Sequence, residues 1–239
     1  MSKIITIFGA TGNQGGSVIE NILADATLSQ EFKIRGITRD VSKPAAQNLI
    51  RKGVEMVAVR IEFEICRSSN MTEKEQADMN SKTDLTSALE GSHTVFLVTN
   101  YWETASRDTE VTQGKNVTDV AKEVGVKHLI FSSLLDVTKT TNGRLSHVPH
   151  FDGKAEIEDY VRESGLPATF YLPGYFMSNF EMMVRKGEDG TLTLAYPVGK
   201  DTRFPLIDVA EDTGIFLHPP RHAPSADRHL IRKIHQCHH

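Results

Sequence analysis

Gly9, Gly12 and Gly15 recur at every third position in Gly9-Ala-Thr-Gly-Asn-Gln-Gly-Gly16, directly after a β-branched run and directly before a helical pattern. That arrangement has a chemical use. A turn that brings bare backbone up to a pyrophosphate needs glycine, and the free N–H groups of the following helix N-terminus bind the anion. Thr11, Asn13 and Gln14 belong to the same loop and are expected to share its cofactor contacts. The end of the next strand reads Gly36-Ile-Thr38-Arg39-Asp40. An acid there takes the ribose 2′-hydroxyl of NAD, whereas arginine pairs bidentately with the 2′-phosphate of NADP. Arg39, with the Thr38 hydroxyl and Lys43 close by, points to NADP; Asp40 falls one residue later than the usual acid. Farther on, Asn100 leaves a strand where it can bond to ribose or carboxamide. Trp102, the single tryptophan, is expected either to stack or to plug the cleft.

These residues are useful only if regular elements hold them. Strand-like and helix-like patterns alternate from the start: strands over 3–8, 32–38, 54–58, 93–98, 127–132 and 168–172, with helices over 17–24, 43–52, 81–90, 108–124 and 151–164. In the long helix, Val111, Gly114, Val117, Val120, Ala121 and Val124 recur every three or four residues, as one buried stripe requires. Alternation of this kind implies βαβ units, right-handed crossovers and a Rossmann-like, doubly wound parallel α/β sheet. Residues 1–172 are therefore read as the dinucleotide-binding domain. Residues 173–217 form a small α/β region on the substrate side, with a helix expected over 175–184 and strands over 191–195 and 204–208.

Composition narrows the function classes. The 239 residues are 39% hydrophobic and 24% charged with a formal net charge of −4, which argues against a direct nucleic-acid binder. No apolar run approaches the length of a membrane span. Cys66 and Cys237 suggest neither a disulfide framework nor a metal knuckle. The expectation is a cytoplasmic protein with a small-molecule substrate.

Beyond these separate signals, GATGNQGGSV, ITRD, FLVTNYWE, HFDGKAEIEDY and LPATFYLPGYFMSNF together resemble the NmrA-like family, atypical members of the short-chain dehydrogenase superfamily. The resemblance runs from residue 3 to about 216 and is closest to the HSCARG-type NADP-binding branch. It implies an NADP(H)-binding Rossmann fold. It also implies one of two activities: a reductase, several of which belong to fungal secondary metabolism, or a redox sensor that contacts a transcription-factor partner and can enter the nucleus. Active short-chain dehydrogenases carry Tyr-x-x-x-Lys and a serine at the end of the fifth strand. The matching stretch here is His150-Phe-Asp-Gly-Lys154, so the lysine is present and histidine replaces tyrosine. Spacing of four residues puts both on one helical face, with Lys154 directed toward sheet and cofactor. Lys154 is the expected ribose-orienting residue and His150 the proton-transfer group, with Ser132 and Ser133 at the strand end. Of these, Lys154, His150 and Ser133 make up the expected catalytic set, and no metal is expected. Tyr175 and Tyr101 are further donors or pocket wall.

Two segments break the pattern. Excising Val59–Gln76 joins Ala58 to Ala77 and restores a connection of family type, with Asp78 on the adenine side; that segment reads as a retained intron or a surface loop. Residues 218–239 hold six of the ten histidines at irregular spacing, which reads as a frameshifted or truncated gene end rather than a metal site. The reading as a whole is an NADP(H)-dependent oxidoreductase acting on a small carbonyl or enone, with a non-catalytic NADP(H) sensor as the alternative.

Overall fold

The computed structural model describes residues 2–60, 77–79, 81–196, 198, 199 and 201–217. Most of the Val59–Gln76 segment and the whole 218–239 tail lie outside the described residues.

Strand β1 (Lys3–Ile7) runs through the glycine loop into α1 (Asn13–Ala24). Then come α2 (Ala26–Glu31), β2 (Phe32–Thr38), α3 (Pro44–Arg51) and β3 (Glu55–Arg60). A two-residue β4 (Ala77–Asp78) is followed by α4 (Lys82–Leu89), β5 (Ser92–Leu97), a 3₁₀ turn over Tyr101–Glu103 and α5 (Arg107–Glu123). The domain closes with β6 (His128–Ser132), α6 (Val137–Thr140), α7 (Pro149–Ser164) and β7 (Ala168–Tyr171). The C-terminal region holds β8 (Tyr175–Phe176), α8 (Asn179–Met183), β9 (Arg185–Lys186), β10 (Leu192–Thr193), β11 (Leu206–Ile207) and α9 (Val209–Phe216).

The main sheet is parallel throughout, in the order β4-β3-β2-β1-β5-β6-β7. Strand order reverses between β1 and β5, and a crevice opens at the carboxyl ends of strands at such a switch point. Both sheet faces are covered. Val95 and Leu97 of β5, with Leu129 and Phe131 of β6, pack on the helices carrying Leu85, Val117, Ile157 and Val161. The alternate residues Phe96 and Ile130 join Ile5 and Ile7 against Val18 and Ile22 of α1 and Leu49 of α3. The period-two alternation of strand side chains thus sends one β-rich sequence into two separate cores.

The expected strands of the Rossmann domain are present. Local chemistry accounts for several differences. Asp25 accepts hydrogen bonds from the Thr27 and Leu28 amides, which caps α2, a helix the apolar pattern does not announce. The helix expected over 175–184 begins only at Asn179, because Tyr175 and Phe176 pair in parallel with Leu206 and Ile207. Of the strand expected over 191–195, only Leu192 and Thr193 pair, in a hairpin with Lys186 and Arg185. Ala77 and Asp78 pair in parallel with Val59 and Arg60 as an added edge strand. Among the described residues no helix is long and apolar enough to cross a membrane.

Helix α9 closes onto α1. The Ser17 hydroxyl accepts the Gly214 amide at 3.0 Å, and Leu217 completes the apolar core on that face. A Cβ on Gly214 would stand 2.5 Å from both the Ser17 carbonyl oxygen and the Asn21 Cβ. Backbone cannot swing aside as a long side chain can, so Gly214→Ala is expected to cost about 1–3 kcal/mol, the range for overpacking. A drop in the urea midpoint at unchanged m-value checks this.

Candidate cofactor and active site

The crevice at the β1/β5 switch point is a cavity of about 860 Å³. Gly9, Gly12 and Gly15 line one part of it, Thr38 and Arg39 another, and Asn100, His150, Lys154 and Tyr175 the rest. The glycine loop fits a dinucleotide for reasons visible in its backbone. Gly9 has φ +63°, a left-handed conformation that favours glycine. A Cβ on Gly15 would lie 2.3 Å from the Gly9 carbonyl oxygen, so the loop closes only without a side chain there. Helix α1 starts without a side-chain cap and without an acid in its first turn, leaving its positive end to the cavity. Thr11, Asn13 and Gln14 line the cavity as well.

Gln14 carries a tether not evident from its position in the loop. The Ser132 hydroxyl, at the end of β6, donates to the Gln14 Oε1 at 2.7 Å. The strand-end serine thereby braces the phosphate loop. Ser133 is not part of the cavity wall. It is fully buried, its amide donates to the Tyr171 carbonyl oxygen, and its hydroxyl faces the neighbouring Leu134 carbonyl. Successive residues at a strand end point opposite ways, so of the two serines it is Ser132 that lines the crevice.

Lys154 projects from α7 to the end of β5, as the helical stripe predicts, and its ammonium group is fully engaged. Nζ donates to the Thr99 carbonyl oxygen at 2.9 Å, the Thr99 hydroxyl at 2.7 Å and the Glu110 carboxylate at 2.6 Å. The Thr99 hydroxyl in turn donates to the same Glu110 oxygen at 2.7 Å. Glu110 is 1% exposed and Lys154 12%. Burial pushes the Lys154 pKa below the ordinary lysine value, with the Glu110 charge opposing that shift. Sequence reasoning missed Glu110 and Thr99. The available signal was Lys154 itself: an ammonium on a face shared with Ile157 and Val161 must find an acid inside. Glu110, beside the apolar stripe of α5, is that acid.

His150 stands one helical turn before Lys154 and has no hydrogen bond to any described residue. Its ring lies 5.6 Å from Tyr101 and 5.0 Å from Trp102, centroid to centroid. Burial lowers its pKa below 6.5; Glu110 pulls the other way and the Lys154 charge adds to the lowering. Trp102 is 72% exposed on the cavity wall, edge-on to Tyr101 and tilted against His150. Asn100 and Tyr101 line the same wall. Asp40 accepts hydrogen bonds from the Ser42 amide and hydroxyl, which turns it into a local loop. Asp78 takes its place in β4 beside Arg60. On the far side, Tyr175 hydrogen-bonds to Tyr196 through the two hydroxyls at 2.6 Å, and Phe180 and Phe204 pack on both. Among the described residues, no cluster of His, Cys, Asp and Glu is arranged to hold a metal ion.

Breaking the Lys154–Glu110 pair strands one buried charge, a change that costs about 3–5 kcal/mol. Lys154→Met and Glu110→Leu are each expected to destabilise the fold on that scale, and the double variant by clearly less than their sum. A double-mutant cycle in denaturant unfolding measures the difference.

The comparisons with known proteins agree with this geometry. The model of the NmrA-like family matches residues 1–220. The NmrA-like family domain-containing oxidoreductase ptmS of Penicillium ochrochloron is 32% identical over 93% of this chain and 65% of its own length. The chain thus spans a little under two thirds of that relative. Among solved structures, the negative transcriptional regulator NmrA in complex with NADP superposes with a TM-score of 0.70 at 25% identity, over 89% of this chain and 60% of that one. The NADPH-dependent quinone oxidoreductase QOR2 of Escherichia coli, complexed with NADPH, gives 0.55 at 28% identity, over 74% of this chain and 51% of that one. These matches speak to the family and not to its branches. With a parallel sheet reversed at β1/β5, a glycine loop closed by Gly15 and a family model matched over nearly its whole length, the chain belongs to the NmrA-like family.

Proposed function

We propose that this protein is an NADP(H)-dependent oxidoreductase that reduces a small organic carbonyl or enone. The observation that carries the reading is the continuity of one cavity, from the glycine loop and Arg39 at one end to Lys154, His150 and Tyr175 at the other. A dinucleotide needs that length, and a substrate needs room at its far end. NADP(H), when bound, supplies the hydride. Gly9, Gly12 and Gly15, with the N-terminus of α1, would hold the pyrophosphate, and the Arg39 guanidinium the 2′-phosphate. Thr11, Asn13 and Asn100 would complete the contacts to the nucleotide. The relatives named as oxidoreductases support an enzyme over a non-catalytic sensor. Their fungal origin fits a substrate from secondary metabolism.

The chain's own groups divide the remaining work. Lys154 donates all three of its protons to Thr99 and Glu110, so its role is to fix the end of β5 and keep a positive charge beneath the ribose. His150, unpartnered among the described residues and on the cavity wall, is the proton donor toward the substrate oxygen. Tyr101 and Trp102 shield one side of its ring, which restricts water and aims the imidazole.

Titration with NADPH, NADP⁺, NADH and NAD⁺ tests the cofactor assignment. Selective binding of the phosphorylated pair, lost in Arg39→Ala, is the expected result. NADPH consumption against a carbonyl panel tests the chemistry. Because burial depresses the His150 pKa, its proton is lost at a pH below 6.5. Carbonyl reduction should therefore fall as pH rises through that lower midpoint, and His150→Asn should remove the inflection while leaving nucleotide affinity within about twofold. An unchanged pH profile in His150→Asn would show that the proton comes from elsewhere.

A further inference from the structure

The Arg39 guanidinium already has an acidic partner. Its Nη1 donates to the Glu103 carboxylate at 2.5 Å, across the mouth of the cavity that both residues line. Arg39 is 62% exposed and Glu103 only 16%, so the arginine is the solvent-facing member and the glutamate the packed one. Glu103 is held by its turn. Its amide donates to the Asn100 carbonyl oxygen, the Ala105 amide returns to the Tyr101 carbonyl oxygen at 2.8 Å, and Ala105 accepts a φ of +50° to let the chain turn back. Tyr101 and Trp102 pin the other side of the turn against His150.

NAD-binding sites of this fold place an acid at the end of β2 to accept the ribose 2′-hydroxyl. Here the end of β2 carries Arg39, and Asp40 is occupied with Ser42. The acid arrives instead from across the cleft. We propose that Glu103 sets the choice between phosphorylated and unphosphorylated nucleotide, an inference that rests on the cofactor reading above. A 2′-hydroxyl can donate to Glu103 with the Arg39 pair intact. A 2′-phosphate must take Arg39 away from Glu103 and then lies beside a carboxylate of its own sign. Glu103 thus weakens the preference for NADP(H) that Arg39 creates, and the site keeps a usable affinity for NAD(H).

The test is calorimetric titration of wild type, Glu103→Gln, Glu103→Ala and Arg39→Ala with NADP⁺ and NAD⁺ at one ionic strength. The expected result is a rise of roughly fivefold in the preference for NADP⁺ in both Glu103 variants, the upper range for an exposed ion pair, with that preference lost in Arg39→Ala. A preference that is unchanged or reduced in the Glu103 variants overturns the inference while leaving the cofactor reading standing. Wild type that binds neither nucleotide overturns the cofactor reading itself. Should both Glu103 variants fail to fold, wild type alone decides through Trp102, the single tryptophan and a member of the same turn. Adenosine 2′,5′-bisphosphate should then shift its emission and adenosine 5′-monophosphate should not; equal responses overturn the inference.

Discussion

The buried pair between Lys154 and Glu110 ties together the parts of the molecule that make the site. Lys154 belongs to α7, Glu110 to α5 and Thr99 to the segment leaving β5, so three elements far apart in sequence meet at one ammonium group. Two ions removed from water are costly, and that cost is offset only if nearly every proton and lone pair finds a partner. Lys154 meets the condition completely. Glu110 meets it through one oxygen, while Oε2 is buried without a partner among the described residues. The pair therefore constrains more than it stabilises. It fixes where β5 ends, hence where Asn100 and the Tyr101–Glu103 turn begin, and it sets the helical phase of α7 that brings His150 to the cavity wall.

A second constraint works by exclusion of atoms. Gly15 lets α1 start against the Gly9 carbonyl, and Gly114 lets α5 approach α7 so closely that a Cβ would lie 2.6 Å from Ile157. The first close approach shapes the loop, and the second allows Lys154 to reach Glu110. Ser132, at the end of β6, holds the phosphate loop through Gln14. The strand-end serine on the cavity wall is thus tied to the loop by one hydrogen bond.

Legibility in the sequence followed the length of each interaction. The Rossmann domain was readable because its strands and helices are long enough for apolar periodicity to accumulate, and the glycine loop because its backbone demands a residue type. Lys154 was readable from its stripe with Ile157 and Val161. Its partner was not, since Glu110 lies 44 positions away and only the fold brings them to 2.6 Å. Ser132 and Ser133 were indistinguishable for a related reason: choosing between them requires the phase of β6. The hydrogen bond from Arg39 to Glu103 spans 64 positions and joins two loops, where no periodicity operates. The region after Pro173 was the hardest to read. Strands β8 to β11 are two residues each, too short to show alternation, and β8 finds its partner 31 positions later.

That contrast bears on how the site can vary. The glycine-loop end of the cavity is built by long elements whose packing leaves little freedom: a side chain at Gly9 meets a left-handed backbone and Val98, one at Gly15 meets backbone, and a change at Lys154 strands a buried charge. The far end is built from short strands and an aromatic cluster in which Tyr175, Phe180, Tyr196 and Phe204 hold one another. Burial and the hydrogen bond with the Tyr175 hydroxyl push the Tyr196 pKa up to about 12, so Tyr196 stays neutral and acts as wall and polar contact rather than as a source of charge. Substitutions can repack the aromatic end residue by residue without disturbing the lysine, the glycines or the switch point, which belong to other elements.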